Sequence, residues 1–143
     1  MTIQEILRSK GADVITITPD ASVHEAMREL VRHNIGALIV FDGTIRGILT
    51  ERDVLRAGAE NPQRLADIRV QELMTREVIT APETVELHEV MDTMTERRIR
   101  HLPITRGGEL RGMISIGDVV NALRRTTEAE NRQLHSYISG TRM

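Results

Sequence analysis

The chain is written twice. Val14-Ile15-Thr16 returns 64 residues later as Val78-Ile79-Thr80, and His24-Glu25 with Met27 returns at the same offset as His88-Glu89 with Met91. Ile35, Leu38 and Val40 fall opposite Ile99, Leu102 and Ile104. Gly47-Ile48-Leu49-Thr50-Glu51-Arg52-Asp53 falls opposite Gly112-Met113-Ile114-Ser115-Ile116-Gly117-Asp118 at an offset of 65, which assigns one extra residue to the second hairpin turn. Matching segments whose length changes fall in turns are the trace of two copies of one structural unit. Each copy alone is near the size at which a single core becomes marginal, so the pair is expected to fold as one unit with its sheets together.

Each copy reads as strand, helix, strand, strand, helix. Val14, Ile15 and Ile17 alternate with threonine and stop at Pro19, and Val78-Ile79 precedes Pro82 in the same way; both read as strands. Ser22 is placed to cap a helix, with Glu25 three residues on, and Val23, Ala26, Met27, Leu30 and Val31 keep the spacing of one apolar helical face. In the second copy Leu87, Val90, Met91 and Met94 hold that stripe without the capping box. Ala37 to Phe41 and Ile45 to Leu49 are short apolar strands around Asp42-Gly43-Thr44, a hairpin signal matched by Arg106-Gly107-Gly108. Helices then begin at Thr50, carrying Val54 and Leu55, and at Ser115, carrying Val119, Val120 and Leu123. Outside the repeats, Thr2 to Lys10 reads as a short helix ended by Gly11. Gly58 to Arg69 reads as a polar connector. Arg124 to Ser139 reads as a polar helical tail whose apolar Leu134, Tyr137 and Ile138 call for a partner surface.

Composition narrows the function. A net charge of −2 with both signs interspersed provides no broad positive field for nucleic acid. Cysteine is absent, which excludes disulfides, thiolate metal sites and a thiol nucleophile. No stretch approaches the roughly 18 apolar residues of a membrane span, and no signal peptide is legible, so a cytoplasmic protein is expected. One Tyr, one Phe and no Trp leave an aliphatic core and rule out base stacking on aromatic side chains. The length leaves room for one compact domain with one core. No glycine-rich phosphate loop, metal cluster or nucleophile-base pair is legible, so no catalytic residue, catalytic cofactor or metal ligand is assigned and the chain is not expected to be an enzyme. His24 and His88 sit in first helical turns without convergent partners and read as surface residues. The methionines fall at core spacing. Arg97-Arg98 reads as a solvated helix end.

The doubled Gly-h-h-[Ser/Thr]-x-x-Asp, where h is hydrophobic, and the Ile99-Arg100-His101-Leu102-Pro103 segment resemble the CBS-domain family, whose tandem repeats pair into a Bateman module. The resemblance covers nearly the whole chain, and its ending is similar to stand-alone members that carry no catalytic domain. It implies an α/β (α+β) fold of two β-α-β-β-α repeats packed with pseudo-two-fold symmetry. Residues 1–69 would hold the first repeat with its N-terminal helix and connector, 70–125 the second, and 126–143 the tail. It further implies a regulatory module that binds an adenosine nucleotide (AMP, ADP, ATP or NAD(H)) between the repeats and assembles as a homodimer through its helical faces; a ligand-independent dimerisation or protein-interaction scaffold is the alternative.

In such a module the motif aspartate holds the ribose. A carboxylate accepts hydrogen bonds from both vicinal hydroxyls, with a Ser or Thr hydroxyl three residues earlier adding a contact. [Ser/Thr]-x-x-Asp is also an ordinary helix cap, and one residue can serve both ends. By the resemblance, one cleft combines Ile48, Thr50 and Asp53 with Met74, Thr75, Arg76, Ile99, Arg100, His101 and Pro103. Arg100 and His101 would meet phosphate there, and an imidazolium at His101 would add a pH dependence. The other cleft combines Met113, Ser115 and Asp118 with Ala12, Asp13, Val14, Ile35, Gly36 and Ala37. Gly36-Ala37 stands where the first has Arg100-His101, so this cleft is expected to lack a charge for phosphate unless Arg100 reaches across.

Overall fold

The computed structural model describes residues 2–11 and 14–141, with side chains described through residue 133. The chain runs α1 (Ile3–Lys10), β1 (Thr16–Ile17), α2 (Val23–His33), β2 (Ala37–Phe41), β3 (Ile45–Thr50), α3 (Glu51–Glu60), α4 (Val70–Leu73), β4 (Ala81–Pro82), α5 (Leu87–Arg97), β5 (His101–Arg106), β6 (Glu109–Ser115) and α6 (Ile116–Thr141). Two three-stranded sheets result, ordered β1-β2-β3 and β4-β5-β6, each with a parallel edge strand beside an antiparallel hairpin. The doubled strand-helix-strand-strand-helix order is the one expected. Among the described residues no helix is long and apolar enough to cross a membrane.

Local chemistry explains the element ends. Ser22 Oγ accepts from the Glu25 backbone N–H (3.1 Å), as the spacing predicts, while the matching cap position in α5 is Glu86, with no side-chain cap bond. Asn34 and Arg98 close α2 and α5 in the left-handed region, at φ 52° and 54°. The extra residue of the second hairpin does not enlarge its turn. Arg106 pairs directly with Glu109, leaving only Gly107 and Gly108, both at positive φ, whereas Phe41 pairs with Ile45 across three residues. Two positive-φ glycines make the tight two-residue turn, and the insertion lengthens the ladder instead. The strand assigned to Val78-Ile79 lies further on, at Ala81–Pro82. β4 is an edge strand, so the missing Pro82 N–H costs no ladder bond.

The connector is not a free polar segment. α3 continues through Gly58 to Glu60, Ile68 is buried and Leu65 partly so, and the Ile68 and Leu65 carbonyls accept from the first N–H groups of α2, Val23 (2.8 Å) and His24 (3.1 Å). These are donors that a helix cannot satisfy internally. The tail continues α6 without a break; Leu134, Tyr137 and Ile138 lie outside the residues with described side chains. His24 and His88 are exposed on their helices, and Met74 and Met94 are core residues.

Most of the buried residues fall into two clusters rather than the single core the length suggests, and each cluster is completed by the segment that precedes the other repeat. Leu38, Val40, Leu49, Val23, Leu30 and Val54 of the first repeat pack with Ile68, Val70 and Met74. Leu102, Ile104, Ile114, Val90 and Val119 of the second pack with Ile3, Ile6 and Leu7 of α1. The exchange is symmetric in its bonds. Val70 N–H donates to the Ala21 carbonyl (2.8 Å), and Ile3 N–H donates to Val85, the residue matching Ala21 (3.2 Å). A methyl on Gly47 would stand 2.7 Å from Met74 Sδ, and one on Gly112 would stand 2.6 Å from Leu7 Cδ2. The glycine that opens each Gly-h-h-[Ser/Thr]-x-x-Asp motif thus clears the seat for the exchanged helix. Neither repeat has a complete core without its neighbour's leading helix, which makes the pair the folding unit.

Candidate functional site

Residues alternate across β2. Leu38 and Val40 enter the first core, while Ala37 and Ile39 face the other way and are equally buried outside both clusters. On this side the repeats meet. The Ile48 and Thr75 backbones exchange two hydrogen bonds of 3.0 Å, joining β3 to the segment that follows α4. Beside this junction lies one continuous cavity of about 1030 Å³ with walls from both repeats, at the upper end of the roughly 300–1,000 Å³ typical of small-molecule sites.

The cavity draws together most of the residues predicted from sequence. From the first set Ile48, Thr50, Thr75, Ile99, Arg100, His101 and Pro103 line it; from the second, Val14, Ile35, Gly36, Ala37, Met113, Ser115 and Asp118. The two predicted clefts are therefore halves of one space. Three residues of the first set are placed elsewhere. Met74 is buried in the first core under Gly47, because it is the apolar end of the exchanged helix. Arg76 turns back to donate to the Gln71 carbonyl (3.2 Å). Asp53 is absent from the cavity wall: its Oδ2 accepts from the Thr50 N–H (2.9 Å) and hydroxyl (3.1 Å), while its own N–H donates to Thr50 Oγ1 (3.3 Å). That reciprocal capping box occupies Asp53 with opening α3. Ala12 and Asp13 lie outside the described residues.

Asp118 caps its helix by the same geometry, with Oδ2 accepting from the Ser115 N–H (2.8 Å) and its N–H donating to Ser115 Oγ (3.2 Å), yet it also faces the cavity. A residue that sequence reasoning did not assign joins it there. Lys10 Nζ donates to Asp118 Oδ2 (2.7 Å) and to the Met113 carbonyl (2.8 Å). The half expected to lack charge therefore holds an ammonium group. Burial alone pushes the Asp118 carboxyl up, but hydrogen bonds from Lys10 and Ser115, with the Lys10 charge, outweigh it and hold Asp118 below the ordinary carboxylate value.

His101 stands where the halves meet. A methyl on Gly36 would lie 3.2 Å from His101 Nε2 and 2.6 Å from Glu51 Oε1, so Gly36 leaves room for two side chains as well as for any ligand. Burial lowers the His101 pKa; Glu51 opposes this, Arg100 reinforces it, and Asp118 and Lys10 pull in opposite senses. The shift favours the neutral imidazole over the imidazolium. Permanent positive charge on the wall comes from Arg52, Arg98 and Arg100, with Lys10; Arg98, read as a solvated helix end, is exposed but borders the cavity. Leu55, Ile79 and Ile116 add apolar wall, and Glu51 and Glu77 add acid.

Known proteins give this architecture a family. The family model for the CBS domain matches residues 3–60 and again 70–125. A mitochondrial CBS domain-containing protein of Arabidopsis thaliana, CBSX3, is 35% identical over 97% of this chain and 72% of its own length. A CBS-domain containing protein from Agrobacterium tumefaciens superposes with a TM-score of 0.82 at 40% identity, covering 85% of this chain and 98% of that one. The CBS domain pair of protein MJ0100, solved in complex with 5′-methylthioadenosine and S-adenosyl-L-methionine, superposes with a TM-score of 0.79 at 28% identity, covering 88% of this chain and 98% of that one. Two exchanged, half-complete repeats around a shared cavity, matched twice by one family model, place this chain in the CBS-domain family as a tandem pair.

Proposed function

We propose that the pair is a regulatory module that binds an adenosine-containing ligand (AMP, ADP, ATP or NAD(H)) in the cavity between its repeats and passes occupancy to a partner through its helical faces. The observation that carries this reading is the cavity itself, whose wall brings together the Asp118 carboxylate and Ser115 hydroxyl, aliphatic Ile35, Ile99 and Pro103, and the guanidinium groups of Arg98 and Arg100. That is the chemistry a nucleotide presents: vicinal ribose hydroxyls, an apolar base face and a phosphate. The adenosine-type ligands of the MJ0100 domain pair support the choice of base. The helical faces suit a homodimer, since Val31 and Val120 are 82% and 51% exposed.

Calorimetric titration of adenosine and AMP tests the reading. Asp118→Ala should weaken both ligands about ten- to 150-fold, the cost of losing hydrogen bonds to an ionised acceptor. Arg100→Ala should weaken AMP more than adenosine, because only AMP carries a phosphate. Failure of every adenosine compound to bind or to raise the melting temperature at millimolar concentration would leave the scaffold role.

A further inference from the structure

The two halves of the cavity are not equivalent, and the difference comes from the length of the exchanged helices. Met74 and Leu7 occupy matching seats on Gly47 and Gly112. After Met74 the chain leaves α4 in an extended conformation (φ −60°, ψ 150°), and the Thr75 N–H bonds the Ile48 carbonyl at 3.0 Å. After Leu7, α1 continues to Lys10 and is capped at Gly11, whose N–H bonds the Leu7 carbonyl. Lys10 Nζ thereby takes the Met113 carbonyl, which matches Ile48, and in the same reach takes Asp118 Oδ2. Asp53, which matches Asp118, has no ion pair among the described residues.

From this geometry we infer that Lys10 is a built-in plug: its ammonium group occupies the Asp118 carboxylate that a ribose would use, and a ligand enters that half only by displacing it. The inference rests on the nucleotide-binding reading of the cavity. An arriving ribose would offer two neutral hydroxyls to a carboxylate whose Oδ2 already accepts from the Ser115 N–H and from a cation at 2.7 Å, so two-oxygen capture of the ribose exchanges an ion pair for neutral hydrogen bonds. Lys10 sits on the last turn of α1, whose Ile3, Ile6 and Leu7 belong to the second core. Occupancy of this half therefore acts on the end of α1, beside Gly11.

Adenosine is the clean probe, because it carries no phosphate that the displaced ammonium could meet. It is titrated by calorimetry into the parent, Lys10→Met, Lys10→Arg and Lys10→Met/Asp118→Ala proteins. Methionine keeps the stem and helix propensity without the charge, and adenosine should bind Lys10→Met about fivefold tighter than the parent, the scale of one partly exposed ion pair. Lys10→Arg should restore parental affinity, and the double variant should lose the gain. Equal or weaker binding to Lys10→Met, with parental binding intact, would overturn the plug and leave the nucleotide reading standing; so would a gain that survives in the double variant. Absence of adenosine binding from every protein would remove both, since the plug requires that its removal expose a ribose site.

Discussion

Three glycines at the junctions of the repeats should respond to alanine in a fixed order. None of Gly36, Gly47 and Gly112 has positive φ, so alanine strains no backbone at any of them, and in each case it restricts the unfolded chain, which contributes about 0.4–1 kcal/mol of stability. The opposing contribution is steric and differs by site. At Gly47 the new methyl would stand 2.7 Å from both Met74 Sδ and the Thr75 carbonyl oxygen, and that carbonyl is fixed by accepting from Ile48 N–H at 3.0 Å. Relief requires moving backbone, which costs about 1–3 kcal/mol of overpacking and about 1 kcal/mol for a weakened hydrogen bond. At Gly112 the obstacle is Leu7 Cδ2 at 2.6 Å, the end of a buried side chain that can rotate only against its core neighbours, for a net loss of about 1 kcal/mol. At Gly36 the obstacles are Glu51 Oε1 at 2.6 Å and His101 Nε2 at 3.2 Å; Glu51 is exposed and swings away, so the net effect is about zero. Urea unfolding followed by circular dichroism, with midpoints compared at constant slope, measures all three. Gly47→Ala or Gly112→Ala costing nothing, or Gly36→Ala costing as much as either, would refute the assignment of Gly47 and Gly112 to close packing of the exchanged helices.

Stability should also depend on pH through two groups. The folded pKa of His101 lies below its ordinary value of 6.5, so the unfolded chain binds more protons between the two; its contribution is complete above about 6.5 and lost as pH falls through the lower folded value. His101→Gln should flatten the stability profile in that window, and an unchanged profile would show that the imidazole is not desolvated. Asp118, also lowered, contributes stability above its ordinary 3.8 that disappears as pH falls through its folded value. Lys10→Met should shrink that acid-side loss, which acid titration of the two proteins would show. Finally, Val31→Glu should shift light-scattering mass from a dimer toward a monomer, and a parent protein that scatters only as a 16.1 kDa species at micromolar concentration would count decisively against the homodimer.

The motifs that were legible in the sequence are those that repeat at a nearly constant offset. Matches at 64 and 65 residues located both hairpins and the helix starts at Thr50 and Ser115, and the family resemblance supplied many of the residues that line the cavity. The exchange of the leading segments escaped because their match runs at 67: Ile3-Gln4-Glu5-Ile6-Leu7 stands against Val70-Gln71-Glu72-Leu73-Met74, and the intervening loops differ in length. That correspondence bears on Met74, while Val31 has a separate cause. Met74 was assigned to the cavity although the apolar position it shares with Leu7 is a core position. Val31 was counted with the buried stripe of α2 because helical spacing cannot separate the face that meets a sheet from one left to solvent or to a partner.

Lys10 was beyond reach for a different reason. Nothing in an isolated Arg-Ser-Lys-Gly stretch distinguishes a helix-terminal lysine that complements the helix dipole from one that crosses to a carboxylate more than 100 residues away. Its role depends on α1 packing on the second repeat, so the site's electrostatics follow from the exchange and not from either repeat alone. Duplication supplied two matched carboxylates, and one longer leading helix made them unequal. Asp53 is left to cap α3, and Asp118 is held by a cation on the wall of the shared cavity. Asymmetry of this kind is invisible to a comparison of the repeats with each other, because the residue that breaks the symmetry belongs to the segment that completes the other repeat's core.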